Sequence, residues 1–151
     1  MMKREVKQRL KGAVAAMAMA ASVGVQAEDA HDLVTIVTSP EPQTQLMAMV
    51  LTMNAAQQGA KAHILLCGPG GDMALKDAPE NVLMPQAPKS MSSQGLMKMI
   101  LEKGLATAEV CAIYLPNAEL EADALLEGVG VADPAVMAGR IIADNARVMS
   151  F

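Results

Sequence analysis

Apolar and polar positions fall into short blocks along this chain, and the period changes from block to block. Residues 33–38 form a continuous apolar, β-branched run of strand length, the pattern of a strand buried on both faces. Ser39-Pro40-Glu41-Pro42 interrupts the run and suits a helix start, with Pro near the first turn and Glu41 near its positive end. Over residues 43–58, Leu46, Met49, Val50 and Met53 recur at helical spacing, and Gly59 supplies a stop. Residues 62–67 predict a second strand, closed by Gly68-Pro69-Gly70-Gly71, with a short helix over 72–76. Pro79, Pro85 and Pro88 make residues 78–91 a loop. Ser92 or Ser93 caps a helix over 94–103 that ends at Gly104. A third strand is predicted over 110–115, broken by Pro116-Asn117, and an acidic helix over 119–127. A turn over 128–131, a helix from Asp133-Pro134 to Ala143 and a terminal strand over 147–151 complete the pattern.

Strands and helices alternate without internal repeat, which argues for an α/β domain with a parallel sheet covered on both faces. A length of 151 residues holds one such domain and is short for two. The organisation expected is a signal peptide over residues 1–27 followed by a single domain over 28–151. Lys3, Arg4, Lys7, Arg9 and Lys11 form a basic start, residues 12–25 are free of charge, and Val25-Gln26-Ala27 puts small residues where a signal peptidase reads. The apolar stretch is well short of the roughly 20 residues of a spanning helix. A soluble periplasmic protein, off the membrane after cleavage, is the expectation.

Removing that leader changes the charge. It holds five of the 12 basic residues and one of the 16 acidic ones, so the remainder carries seven basic against fifteen acidic side chains. Such a surface repels phosphate backbones, and Tyr114 and Phe151 are its only aromatics, so nucleic-acid binding is excluded on two counts. A hydrophobic content of 52% supports a core rather than disorder, and that core must be aliphatic.

Chemistry concentrates in two cysteines, which in an exported domain suit either one disulfide or a redox or persulfide-carrying pair. Cys67 ends the second predicted strand, ahead of the glycine turn, where parallel sheets form ligand crevices. It reads equally as a thiolate favoured by following amides or as a small buried hydrophobe. Cys111, among Val110, Ala112 and Ile113, reads from periodicity alone as inert core. Gly68-Pro69-Gly70-Gly71 lacks the lysine and hydroxyl of a phosphate loop and is best explained as a tight strand-to-helix turn. Met47 and Met49, like Met97 and Met99, stand two apart, on opposite faces of a helix, and fit core packing better than a Cu(I) clasp. His31 and His63 have no partners at ligand spacing, so neither a metal nor a cofactor is expected.

The order of elements, the helix ending in Gln58-Gly59, the glycine loop, the run Val110-Cys111-Ala112-Ile113-Tyr114-Leu115-Pro116-Asn117 and the closing Val148-Met149-Ser150-Phe151 together resemble the DsrE/DsrF-like family. The resemblance implies a doubly wound parallel sheet of about five strands and a homo-oligomer, a trimer or a multiple of it. It also implies a sulfur-handling role in which one cysteine accepts and passes on a persulfide, exchanged with a donor or acceptor protein. Cys111 matches the reactive position, which sets the resemblance against the inert-core reading, and Cys67 is left to resolve it as a disulfide. Two functions are therefore carried forward. One is an exported sulfur carrier or thiol-redox protein, sulfurtransferase-like in its chemistry. The other is a non-catalytic periplasmic module that binds a soft metal or a protein partner, with structural cysteines.

Overall fold

The structure is a computed structural model describing residues 31–151, so the expected leader lies outside the described residues. Twelve elements follow in order: β1 (Asp32–Val37), α1 (Pro42–Gln57), β2 (Lys61–Leu66), a 3-10 helix (Gly68–Ala74), α2 (Glu80–Leu83), α3 (Ser93–Glu102), β3 (Ala106–Val110), α4 (Tyr114–Ala118), a 3-10 turn (Ala122–Ala124), β4 (Val129–Val131), α5 (Pro134–Ile141) and β5 (Ala146–Ser150). The five strands make one parallel sheet in the order β4-β3-β2-β1-β5. Right-handed crossovers that step from β1 to β2 to β3 put α1 and α3 on the same face. The chain then returns past β1 to place β5 on its other side, and the helix on that return, α5, covers the opposite face.

Strand register sorts the side chains between two cores. Thr35 pairs with Ile64 and Ile64 with Ala108, one row facing α1 and α3. This side holds the larger core, with Val37, Met49, Ile64, Leu66, Met73, Met97, Ile100 and Val110 sealed from solvent. Val34 and Leu65 point the other way and meet Ala132 and Met137 beneath α5, with Cys67 and Cys111 at the margin. Met47 is 51% exposed while Met49, two residues on, is fully buried, as helical geometry requires.

Polar groups inside the larger core are paired. Thr35 and Thr52 share a hydrogen bond of 2.8 Å between β1 and α1. Gln45 donates to the Ser39 carbonyl at 2.8 Å and accepts from the Ser93 hydroxyl at 3.0 Å, tying α1 to α3. Gln94 donates to the Met73 and Leu75 carbonyls, fixing the chain after β2 against α3. Among the described residues no buried side-chain nitrogen or oxygen lacks a partner. None of their helices is long and apolar enough to cross a membrane.

Several expected elements are corrected. The third strand lies at Ala106–Val110, four residues early, and the apolar run after it turns into α4. The acidic helix over 119–127 is absent: Glu119 adopts a left-handed φ of 54° that ends α4, and only a 3-10 turn follows. The expected turn over 128–131 contains β4, a three-residue edge strand on β3. The helix over 72–76 is instead the 3-10 helix Gly68–Ala74, and the loop over 78–91 includes the single turn of α2.

Candidate functional site

Register alone brings the two cysteines together. Leu66 and Val110 are paired at the ends of β2 and β3, so the residues that follow, Cys67 and Cys111, stand side by side and point to the same face. The ladder continues through them: the Cys67 N–H donates to the Val37 carbonyl at 3.0 Å and the Cys111 N–H to the Leu66 carbonyl at 2.8 Å. Their Cα atoms are 5.2 Å apart, inside the range that a disulfide spans, and the two sulfurs are bonded. Both residues are half-buried and line an open pocket of about 510 Å³ beyond the carboxyl ends of the strands. Cys111 is thus neither in mid-strand nor sealed, because β3 stops one residue before it. The inert-core reading is corrected on that point.

The glycine loop shapes the pocket. Gly68 adopts φ 51°, a conformation that side chains strain to reach. Gly70 packs so closely on the Val37 carbonyl that a Cβ would collide with backbone, and its N–H donates to the Cys67 carbonyl at 3.1 Å. Gly71 lies under the ring of Tyr114, with no room for a methyl group. These contacts bear out the tight-turn reading of the loop.

Tyr114 closes the other side of the pocket. Its N–H donates to the Cys111 carbonyl at 2.8 Å and its hydroxyl to Asp72 Oδ1 at 2.8 Å. Burial first, then the hydrogen bond and charge of Asp72, push the phenol well above its ordinary pKa, so it stays a donor. Ile113, 71% exposed, stands at the rim with Pro69. Sequence reasoning passed over Asp72 and Tyr114; the signal was the only tyrosine of an aliphatic chain and the first acid after the glycine turn.

The other candidates lie elsewhere. His63 points to the α5 face, where its Nδ1 sits 2.9 Å from the Thr107 hydroxyl, close to an ion pair of Arg140 and Glu109 at 2.9 Å. Burial holds its pKa below the usual imidazole value. Arg140 and Lys61 push the same way, against Asp32 and Glu109. His31 lines a separate groove at the start of β1 with Arg147 and Met149. Among the described residues no three His, Cys, Asp or Glu side chains gather as metal ligands do.

No family model and no curated protein matches the sequence. Solved structures do match in three dimensions. The ychN protein from E. coli superposes with a TM-score of 0.60 at 15% identity, over 80% of this chain and 99% of that one. MTH1491, a protein of unknown function from Methanobacterium thermoautotrophicum, superposes with a TM-score of 0.56 at 14% identity, over 82% of this chain and 100% of that one. The architecture is the DsrE-like α/β fold, a single five-stranded parallel sheet with helices on both faces.

Proposed function

We infer that the protein is an exported thiol-redox and sulfur-carrier protein working through Cys67 and Cys111. The observation that carries this reading is the half-buried disulfide between adjacent strand ends, lining an open pocket. In the reduced state the Cys111 thiolate attacks the outer sulfur of a persulfide donor, forming Cys111–S–SH and releasing the donor as its thiolate. Cys67 then attacks Cys111 Sγ as a thiolate, the S–S bond of the persulfide breaks, the carried sulfur leaves as hydrosulfide with the proton it already holds, and the Cys67–Cys111 disulfide forms. Delivery to an acceptor thiolate before that attack passes the sulfur on instead. A dithiol reductant resets the disulfide. Cys111 is assigned the carrier role because it matches the reactive position of the resembled family, and Cys67 the resolving role because it is the bonded neighbour.

The test is intact mass of the reduced protein after exposure to a persulfide donor. Cys67→Ser is expected to trap one added sulfur atom and Cys111→Ser to retain none; addition that survives Cys111→Ser rejects the assignment. Localisation to the periplasm belongs to the same proposal, supported by the leader-like residues 1–27. So does a homo-oligomer, supported by the exposed Val136 on α5, Ile142 just after it and Val148 on β5. Light scattering of the purified domain checks the latter, and a monomer would remove it.

A structural role for the cysteines is the second reading, favoured by a bond that closes a separation of 44 residues between two core strands. The reduction potential separates the two. A value above about −300 mV supports exchange, and one below it supports a structural bond.

A further inference from the structure

We propose that the Cys67–Cys111 pocket selects its sulfur partner by charge, through Asp72, and accepts a cysteine carried on an apolar, uncharged or basic protein segment while rejecting anionic sulfur compounds. This rests on the thiol-exchange reading and names its partner class.

Among the described residues the pocket has no Lys, Arg or His in its lining, and Asp72 is its only ionisable group apart from the cysteines and the hydrogen-bonded Tyr114. The Tyr114 hydroxyl donates to that carboxylate at 2.8 Å, which favours its position beside the cysteines. The helix α5, whose side of the sheet the cysteines share, brings no free positive end. Its N-cap Asp133 already accepts from the Ala135 and Val136 N–H groups at 2.8 and 3.0 Å, beside Ala132, which packs in the same cluster as both cysteines. Beyond the pocket, the chain after its leader carries fifteen acidic against seven basic residues. Every attacking thiolate or persulfide is itself negative, so a second negative charge on the partner adds repulsion, and a positive one offsets it.

The remaining surface argues for a protein segment rather than a small solute. The pocket volume of about 510 Å³ exceeds what a lone sulfur species fills. Its walls are largely apolar, from Pro69, Ala118 and the Tyr114 ring, and Ile113 stands 71% exposed at the rim. Thiosulfate or a glutathione-type anion would gain nothing from such walls. Aliphatic side chains flanking a cysteine would.

The test is reduction of the disulfide in the purified domain by cysteamine, 2-mercaptoethanol and 3-mercaptopropionate. In each case one thiolate attacks a cysteine sulfur, the Cys67–Cys111 bond breaks, and the departing thiolate takes a proton. A second thiolate then frees the mixed disulfide as RSSR. Each rate is divided by the same thiol's rate on hydroxyethyl disulfide, which cancels intrinsic nucleophilicity. Cysteamine is expected to exceed 3-mercaptopropionate by about tenfold at low ionic strength, with the ratio shrinking in salt. Asp72→Asn, which keeps an acceptor for the Tyr114 hydroxyl, is expected to cut the ratio about threefold. A ratio of one or less, or a ratio that Asp72→Asn leaves unchanged, overturns the proposal while leaving exchange itself intact. Failure of all three thiols to reduce the bond overturns the exchange reading and this proposal with it. A cysteine peptide with Leu and Lys flanks is expected to outpace one with Gly and Glu flanks. Ile113→Ser should slow the Leu-flanked peptide by a larger factor than it changes the cysteamine rate, and an equal change in both rates overturns the protein-segment assignment.

Discussion

Gly70 and Gly71 carry the turn that delivers Cys67 to its pocket, and each is held by a different contact. A methyl group at Gly70 would meet the Val37 carbonyl, which belongs to β1 and cannot move without breaking the sheet. At Gly71 it would meet the edge of the Tyr114 ring, a side chain with some freedom to shift. Gly70→Ala is therefore expected to destabilise by about 3 kcal/mol and Gly71→Ala by about 1–2 kcal/mol, read from urea unfolding. Equal losses would show that the Val37 contact is not the constraint. His63 supplies a second test at this scale. Its folded pKa lies below the unfolded value, so the folded state resists the proton. Its contribution is intact above about pH 6.5 and is lost as pH falls through the folded value. Between about pH 7.5 and pH 5, wild type should lose more stability than His63→Asn, which removes the titration. Parallel losses in the two proteins would count against it.

Helix starts are where local sequence speaks most directly. The Ser92 hydroxyl accepts from the Gly95 N–H at 3.1 Å, and Asp133 caps α5 with two hydrogen bonds. Ser92→Ala and Asp133→Ala should each cost about 1 kcal/mol, with Asp133 the larger because its charge also meets the helix dipole. Thermal or urea midpoints of the two variants measure it; no loss at Asp133 would mean that α5 is held by packing alone. Both starts, and the strands β1, β2 and β5 to within a residue, were legible in the sequence. The third strand was not. Residues 110–115 have the stronger apolar run, but it is apolar for three different reasons: Val110 faces the sheet core, Tyr114 and Leu115 face the same core from α4, and Ile113 faces solvent. Ala106-Thr107-Ala108-Glu109 alternates too weakly to announce a strand, and becomes one because β2 offers it a paired edge. β4, three residues with a glycine at its centre, exists only through β3.

For the molecule as a whole, the disulfide is the long-range tie between β2 and the segment after β3. Loop closure over a separation of 44 residues would contribute ~3–4 kcal/mol if the bond acted only on the unfolded chain. Ease of reduction and stabilisation are two legs of one thermodynamic cycle, so a bond made for exchange returns less. Reduction is expected to lower the unfolding free energy by under about 2 kcal/mol, with the urea dependence little changed. A loss of the full ~3–4 kcal/mol would favour the structural reading instead.

The strands β1, β2 and β5, the helices α1, α3 and α5, the aliphatic make-up of the core and the two candidate cysteines were determined by the sequence, because each depends on residues close along the chain. The meeting of Cys67 with Cys111 was not, since it follows from β2 lying beside β3 with Leu66 opposite Val110. The same holds for the Asp72–Tyr114 bond and for the pocket between them. Strand adjacency is settled by which apolar faces bury one another best across the whole domain, and only the folded chain solves that problem.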